Sequence, residues 1–217
     1  QRFVQAVAHV MAKYVDAPAS LYDAFVFEKN VPTTQLNWRK DGVHIIFPYL
    51  VTDIATQYFI REELLHETKG FLETELSPIE DIIDISVIER NGWMMYGSSK
   101  PGGHVYELTG IWVQHSDDTI GEHPPVRLLD SVYYTASEDL LNLLSIRNYS
   151  MADVVQLRES KQIILENYAR ELNEQRVKKN QSVTKDFNVI YSDTEDLGTV
   201  SLLVDVLNVS RAGTYQS

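Results

Sequence analysis

The chain has 217 residues, 44% of them hydrophobic, enough for one generous domain or a domain plus an appended piece. Its formal charge of −12 excludes a protein that coats nucleic acid indiscriminately and confines any DNA contact to a small cationic strip. The lack of cysteine excludes a disulfide framework and a thiolate zinc site, and no apolar run approaches the ~18 residues that span a bilayer.

The start, Gln1-Arg2-Phe3, has neither an initiator Met nor a signal-peptide layout and reads as that of a fragment. Val4, Val7, Ala8, Met11, Tyr14 and Val15 recur at helical spacing, so the first ~15 residues are expected to form a helix ended by Asp16-Ala17-Pro18. Ala24 to Phe27 and Val43 to Phe47 are β-type runs, the second bounded by Asp41-Gly42 and Pro48. Thr52 is placed to cap a helix carrying Ile54, Tyr58, Arg61 and Leu65. Ile83 to Ile88, Trp93 to Tyr96 and Val105 to Val113 suggest three more strands, the last two joined by a turn at Lys100-Pro101-Gly102-Gly103. Beyond a polar stretch from His115 to Pro125, Glu138 to Leu144 reads as a short helix. Val154 to Lys179 reads as a charged helix with Leu157, Ile164, Leu165, Tyr168 and Leu172 on its buried side. Lys178 to Asp196 reads as a linker, and Val200 to Val209 as a final apolar helix.

Alternation along the strand at His44 puts Val43, Ile45 and Phe47 on one face and Lys40, Gly42, His44 and Ile46 on the other. A cation, a glycine permitting close backbone approach and an imidazole in one row suit the phosphates of a nucleotide. The plainer reading is a half-buried histidine and a strand-end lysine on a solvated face. Asp84 sits in an otherwise apolar run, where an ionised carboxylate is costly unless it meets a cation such as Mg²⁺ or Mn²⁺. An aspartate at a strand end explains it equally simply. Asn91-Gly92 is a hairpin signal, and Ser98, Ser99 and Lys100 before Pro-Gly-Gly offer hydroxyls, an ammonium and backbone amides to a triphosphate. The order is not that of a Walker A loop, and a plain surface loop is the alternative. His115 and His123 flank Asp117, Asp118 and Glu122, which is more simply a solvated acidic loop than a metal site. Trp93, Tyr96, Tyr106 and Trp112 are placed either to stack on template bases or, as their β spacing favours, to fill a core.

Taken in order, Lys40-Asp41-Gly42-Val43-His44-Ile45-Ile46-Phe47-Pro48, then Asp84, then Asn91-Gly92-Trp93-Met94-Met95-Tyr96-Gly97-Ser98-Ser99-Lys100 resemble the viral branch of the archaeo-eukaryotic primases. In that superfamily the second motif ends in a histidine on a strand, and the third is an aspartate preceding a strand that leads into a Tyr-Gly-Ser-x-Lys-like segment. This chain departs in two places. Gly42 stands where the family often carries serine. The family's first motif, a pair of acidic residues one apart on a strand, has no counterpart here, and the family's order puts it upstream of Gln1.

The resemblance implies an α+β fold with an RRM-like primase core sheet flanked by helices and followed by a helical connector. Residues 1–114 would be a partial core, 115–180 its extension, and 181–217 a linker and the start of a helical domain leading to a helicase. It further implies a primase-polymerase making primers by two-metal nucleotidyl transfer with Mg²⁺ or Mn²⁺. Asp84 would be the metal ligand, Asp84 and His44 the catalytic pair, and Lys40, Gly42, His44, Asn91, Ser98, Ser99 and Lys100 the nucleotide-binding set. Expected partners are a single-stranded DNA template, nucleoside triphosphates, a C-terminal helicase part and further copies of the chain, with no membrane, at a cytoplasmic viral replication site. A non-catalytic module that binds nucleic acid or a replication partner is the competing expectation, favoured by the acidity and the missing acid pair.

Overall fold

Val4, Val7, Ala8, Met11 and Tyr14 form the buried stripe of helix α1 (Arg2–Tyr14), as their spacing predicts. The computed structural model describes residues 1–35, 38–74, 77–89, 96–114, 120, 125–130, 138–145, 154–183 and 200–211. The stripe packs on a sheet built around β1 (Ala24–Lys29), which pairs antiparallel with β3 (Trp38–Thr52) on one side and β4 (Tyr106–Val113) on the other. Short β2 (Thr33–Gln35) pairs with the start of β3, β5 (Val126–Asp130) with β4, and β6 (Val200–Arg211) with β3. Among the described residues this is one six-stranded antiparallel sheet flanked by helices, so the fold is α+β.

Alternation along β1 and β3 divides the interior in two. Val26, Ile45 and Phe47 face α1 and α2 (Ile54–Leu72), meeting Val7, Met11, Ile60 and Leu64. Phe25, Phe27 and Ile46 face the other way, toward Tyr106, Leu108 and Ile111 of β4 and Leu140 of α5 (Glu138–Leu143). Each fully buried large apolar side chain contributes about 1.5–3 kcal/mol, so the middle of each face is core. His44, expected to be half-buried in the plainer reading, is only 5% exposed and so is buried.

The helix after β3 is capped by Asp53 and not by Thr52. The Asp53 carboxylate accepts from Thr56 N–H at 2.7 Å and Thr56 Oγ1 at 3.0 Å, while Thr52 is the last residue of β3. The strand does not stop at Pro48 either. It runs on to Thr52, with a register shift against β6 between Phe47 and Val51 that accommodates a residue unable to donate to a ladder.

The apolar run after Ser77 is helical where a strand was expected. Two single-turn helices, α3 (Ile79–Ile82) and α4 (Ser86–Glu89), replace the strand Ile83 to Ile88. Its apolar residues go to different places: Ile83 joins the α1–α2 side of the sheet, whereas Ile88 packs with Ile54 and Tyr58. The charged helix α6 (Glu159–Val183) begins later than its pattern suggested, because Val154 and Leu157 bridge to Val51 and Val15 in extended form, and it runs on past Lys179 to Val183. Leu165 is buried, Tyr168 and Leu172 are partly buried against α2 and α4, and Ile164 is largely exposed, against expectation. Lys178 to Val183 belong to α6, and the rest of the expected linker lies outside the described residues. Val200 to Val209, expected to be a helix, lies within β6: a short apolar run fits either period, and pairing along β3 decides for the strand.

Tyr22 ties the α1–β1 connection down. It is fully buried and its hydroxyl donates to Val15 O at 3.2 Å. Burial pushes its pKa up to about 12, the Arg158 charge opposing and Asp16 reinforcing. Tyr14 is also raised to about 12, by burial and by donating to Glu63 Oε2 at 2.7 Å. Both folded values lie above the ordinary 10, so their contribution is complete below pH 10 and disappears as pH climbs through about 12. Denaturant-measured stability is therefore expected to fall over that window, by an amount of order 2 kcal/mol for Tyr22 alone. Tyr22→Phe should flatten the fall, and an unchanged slope in that variant would refute the assignment.

Candidate functional site

His44 sits mid-strand on β3 opposite Phe27 of β1 and Asp205 of β6 in register. Its imidazole stacks nearly flat on Tyr106 of β4, ring centroids 3.7 Å apart and 16° from parallel. Such an offset-stacked pair is worth about 0.5–1.5 kcal/mol beyond buried area and fixes the ring plane. Gly42, two residues earlier, is buried, and Lys40 stands at the register position opposite Thr33.

The Tyr96–Lys100 segment is anchored on the same face. The Tyr96 ring lies against Phe27, centroids 5.8 Å apart, and Phe27 is the residue paired with His44. Gly97 then turns the chain with φ 77, a conformation glycine adopts without penalty. Ser98 is half-buried, and Ser99 and Lys100 are exposed. Gly103 N–H donates to Lys100 O at 2.8 Å across Pro101-Gly102, with Gly102 at φ 72, the type II turn that Pro followed by Gly demands. Asn91 and Trp93 lie outside the described residues, as do His115, Asp117, Asp118, Glu122 and His123.

Asp84 is not on the sheet. It occupies the turn between α3 and α4, where its Oδ1 accepts from Ser86 N–H and its Oδ2 from Ser86 Oγ, both at 2.8 Å. An ionised carboxylate has about four acceptor sites, so Ser86 uses one on each oxygen and leaves one on each. The turn reaches the His44 face through Val87, which packs into the cluster holding Phe27, Ile46 and Tyr96. Tyr96, which leads into Ser98–Lys100, and Val87, which follows the Asp84 turn, thus lie on the His44 side of the sheet.

That turn is held at both ends. Arg61 of α2, 7% exposed, donates Nε to Ile83 O and Nη2 to Glu80 O, each at 2.9 Å. Beyond it, Glu89 at the end of α4 accepts from Tyr58 OH at 2.9 Å and from Arg176 of α6 at 2.6 Å. The sequence pattern groups Arg61 with Ile54, Tyr58 and Leu65 and gives it no role. A cation in an apolar helical stripe signals a buried acceptor, and here the acceptors are carbonyls beside Asp84. Trp112, weighed as a base-stacking residue, instead packs toward the α1–α2 side.

Imidazole, serine hydroxyls, an ammonium and turn amides together can bind phosphate oxygens through charge-assisted and backbone hydrogen bonds. They do not make a two-ion centre. Among the described residues no three His, Asp or Glu side chains are grouped to hold a metal, and one carboxylate cannot carry two divalent ions. A cavity of about 360 Å³ lies behind the sheet, on the Val43 and Ile45 side with Phe3 and Trp112, and is not part of this arrangement.

Residues 1–112, just over half the chain, match the family model described as the C962R protein N-terminal AEP domain, AEP denoting archaeo-eukaryotic primase. Over 95 residues the chain is 32% identical to a protein of Acanthamoeba polyphaga mimivirus named "Putative helicase L207/L206", covering 42% of this chain and 10% of that protein. The chain therefore spans about a tenth of that relative's length. No solved structure matches it. Among the described residues no helix is long and apolar enough to cross a membrane.

Proposed function

Because the chain belongs to the family of C962R-type archaeo-eukaryotic primase domains, we propose that it forms the nucleotide-binding part of a primer-synthesising nucleotidyltransferase within a viral primase-helicase. The anchoring of Tyr96 on Phe27, the register partner of His44, carries this reading. It supports a site in which His44, Ser98, Ser99 and Lys100 hold the triphosphate of an incoming nucleotide, with Lys40 and Asn91 as further contacts. The groups orient phosphates and offset their charge without bonding covalently to substrate. Asp84 is this chain's contribution to a Mg²⁺ or Mn²⁺ site, and the described residues do not complete that site.

The helicase in the relative's name supports a helicase part in the same polypeptide. A single-stranded DNA template, assembly with further copies and a viral replication site in the host cell belong to the same proposal. With −12 net charge, template contact is confined to a small cationic strip.

In the full-length protein, Asp84→Asn is expected to cut templated dinucleotide synthesis by at least about a hundredfold, or ~2.7 kcal/mol of barrier. Far-UV circular dichroism should stay unchanged, and synthesis at the wild-type rate would end the reading. One observation favours a non-catalytic, partner-binding module instead: both Asp84 oxygens already serve Ser86, which by itself accounts for an aspartate there. Such a module would not bind nucleoside triphosphate at all.

A further inference from the structure

Lys29 is the last residue of β1 and the register partner of Tyr106 on β4. Directly opposed residues of an antiparallel pair emerge on the same face. The Lys29 ammonium lies over the Tyr106 ring, 4.8 Å from its centroid, and the same ring carries the His44 imidazole at 3.7 Å. One aromatic ring therefore has both an ammonium and an imidazole against it. Their separation cannot exceed those distances laid end to end, which a chain of three phosphates spans.

From this arrangement we infer that Lys29 is a phosphate-binding residue of the nucleotide site, held in place by Tyr106. The inference rests on the nucleotide-site reading of His44 and adds a cation to it. Cation–π contact is worth about 0.5–1 kcal/mol at exposed positions. That suffices to hold a long side chain whose rotamer freedom would otherwise oppose binding. The contact uses the charge and leaves the three N–H donors available.

Neighbouring acids do not claim the ammonium. Glu28 and Glu107 are one residue away from Lys29 and Tyr106 on their strands and so emerge on the opposite face. Glu107 accepts instead from Asn30 Nδ2 at 3.5 Å. Among the described residues no carboxylate forms an ion pair with Lys29. In a chain with 31 acidic and 19 basic residues, an ammonium without an ion pair among the described residues is positioned for an anion from outside, although Asp205 holds the register position beside His44.

The test is a titration of the purified protein with ATP and with AMP, in buffer containing Mg²⁺, for wild type, Lys29→Met, Lys29→Arg and His44→Ala, with a melting curve for each. Lys29→Met is expected to raise Kd for ATP about tenfold and for AMP less than about twofold, because the longer phosphate chain reaches the ammonium. Lys29→Arg should restore ATP affinity to within about threefold, since it keeps the charge and the stacking. If His44→Ala loses ATP while Lys29→Met binds it as wild type does, Lys29 merely covers the Tyr106 ring and the inference fails alone. Equal losses of ATP and AMP in Lys29→Met, with a lowered melting temperature, also overturn it. If the wild type binds no ATP, or neither variant alters its binding, the nucleotide-site reading fails and the inference with it.

Discussion

Replacing Arg61 with methionine is expected to lower the unfolding free energy by about 3 kcal/mol, from two buried acceptors each costing about 1–3 kcal/mol when left unpaired. The acceptors are the carbonyls of Glu80 and Ile83 at the end of α3, where a helix terminus has no partners of its own. Methionine fills the space of the aliphatic stem, so the loss reports the guanidinium and not a cavity. Arg61→Lys should lose less, since an ammonium satisfies one carbonyl but lacks the fork that reaches both. Urea unfolding measures this, and a change below about 0.5 kcal/mol, the range of ordinary surface substitutions, would show that water takes over both carbonyls. The peptide unit joining Ile83 to Asp84 is one rigid plane. Pinning its carbonyl therefore sets the entry of the chain into Asp84, whose carboxylate Ser86 fixes from the other side.

Removing the imidazole of His44 should separate binding from folding. His44→Ala is expected to cost about 2 kcal/mol of stability, through lost stacking on Tyr106 and incomplete collapse around a nearly buried site. It should weaken nucleoside triphosphate binding about tenfold or more, through the lost hydrogen bond to phosphate. His44→Phe isolates the second effect, because the ring stack on Tyr106 survives while both nitrogens are gone. That variant should melt within a few degrees of wild type and bind triphosphate as poorly as the alanine variant. Wild-type affinity in His44→Phe would make the histidine a packing residue only.

Much of the scaffold was readable because local pattern and tertiary packing agree. The α1 stripe, the β1 and β3 alternation, the Ile54, Tyr58, Arg61 and Leu65 face of α2, and the Pro-Gly turn after Lys100 all occur where their spacing puts them. Sequence pattern failed where one apolar run serves several packing sites. Ile83, Val87 and Ile88 look like a strand because they are β-branched and close together. They go to different clusters, and the side chains that bend the chain between them come from Asp84, Ser86 and Arg61. The same ambiguity of short apolar segments hid β6.

At the candidate site, motif order pointed to His44, Ser98 and Lys100 but was silent on what holds them. The Tyr106 stack and the Tyr96–Phe27 contact join residues from different strands and turns, and no linear spacing encodes such pairs. Lys29 was missed for a similar reason. It ends the alternation Phe25, Phe27, Lys29, where a charged residue ordinarily marks the edge of a strand, and only the position of Tyr106 gives it a neighbour.

The carboxylate shared by Tyr58 and Arg176 makes α6 a mechanical link. A load that draws the 25-residue rod away from α2 must part the Arg176–Glu89 ion pair as well as the Phe59–Tyr168 ring contact. Glu89 lies five positions along the chain from Asp84, so the ion pair with α6 holds the far end of the segment that carries the acidic turn.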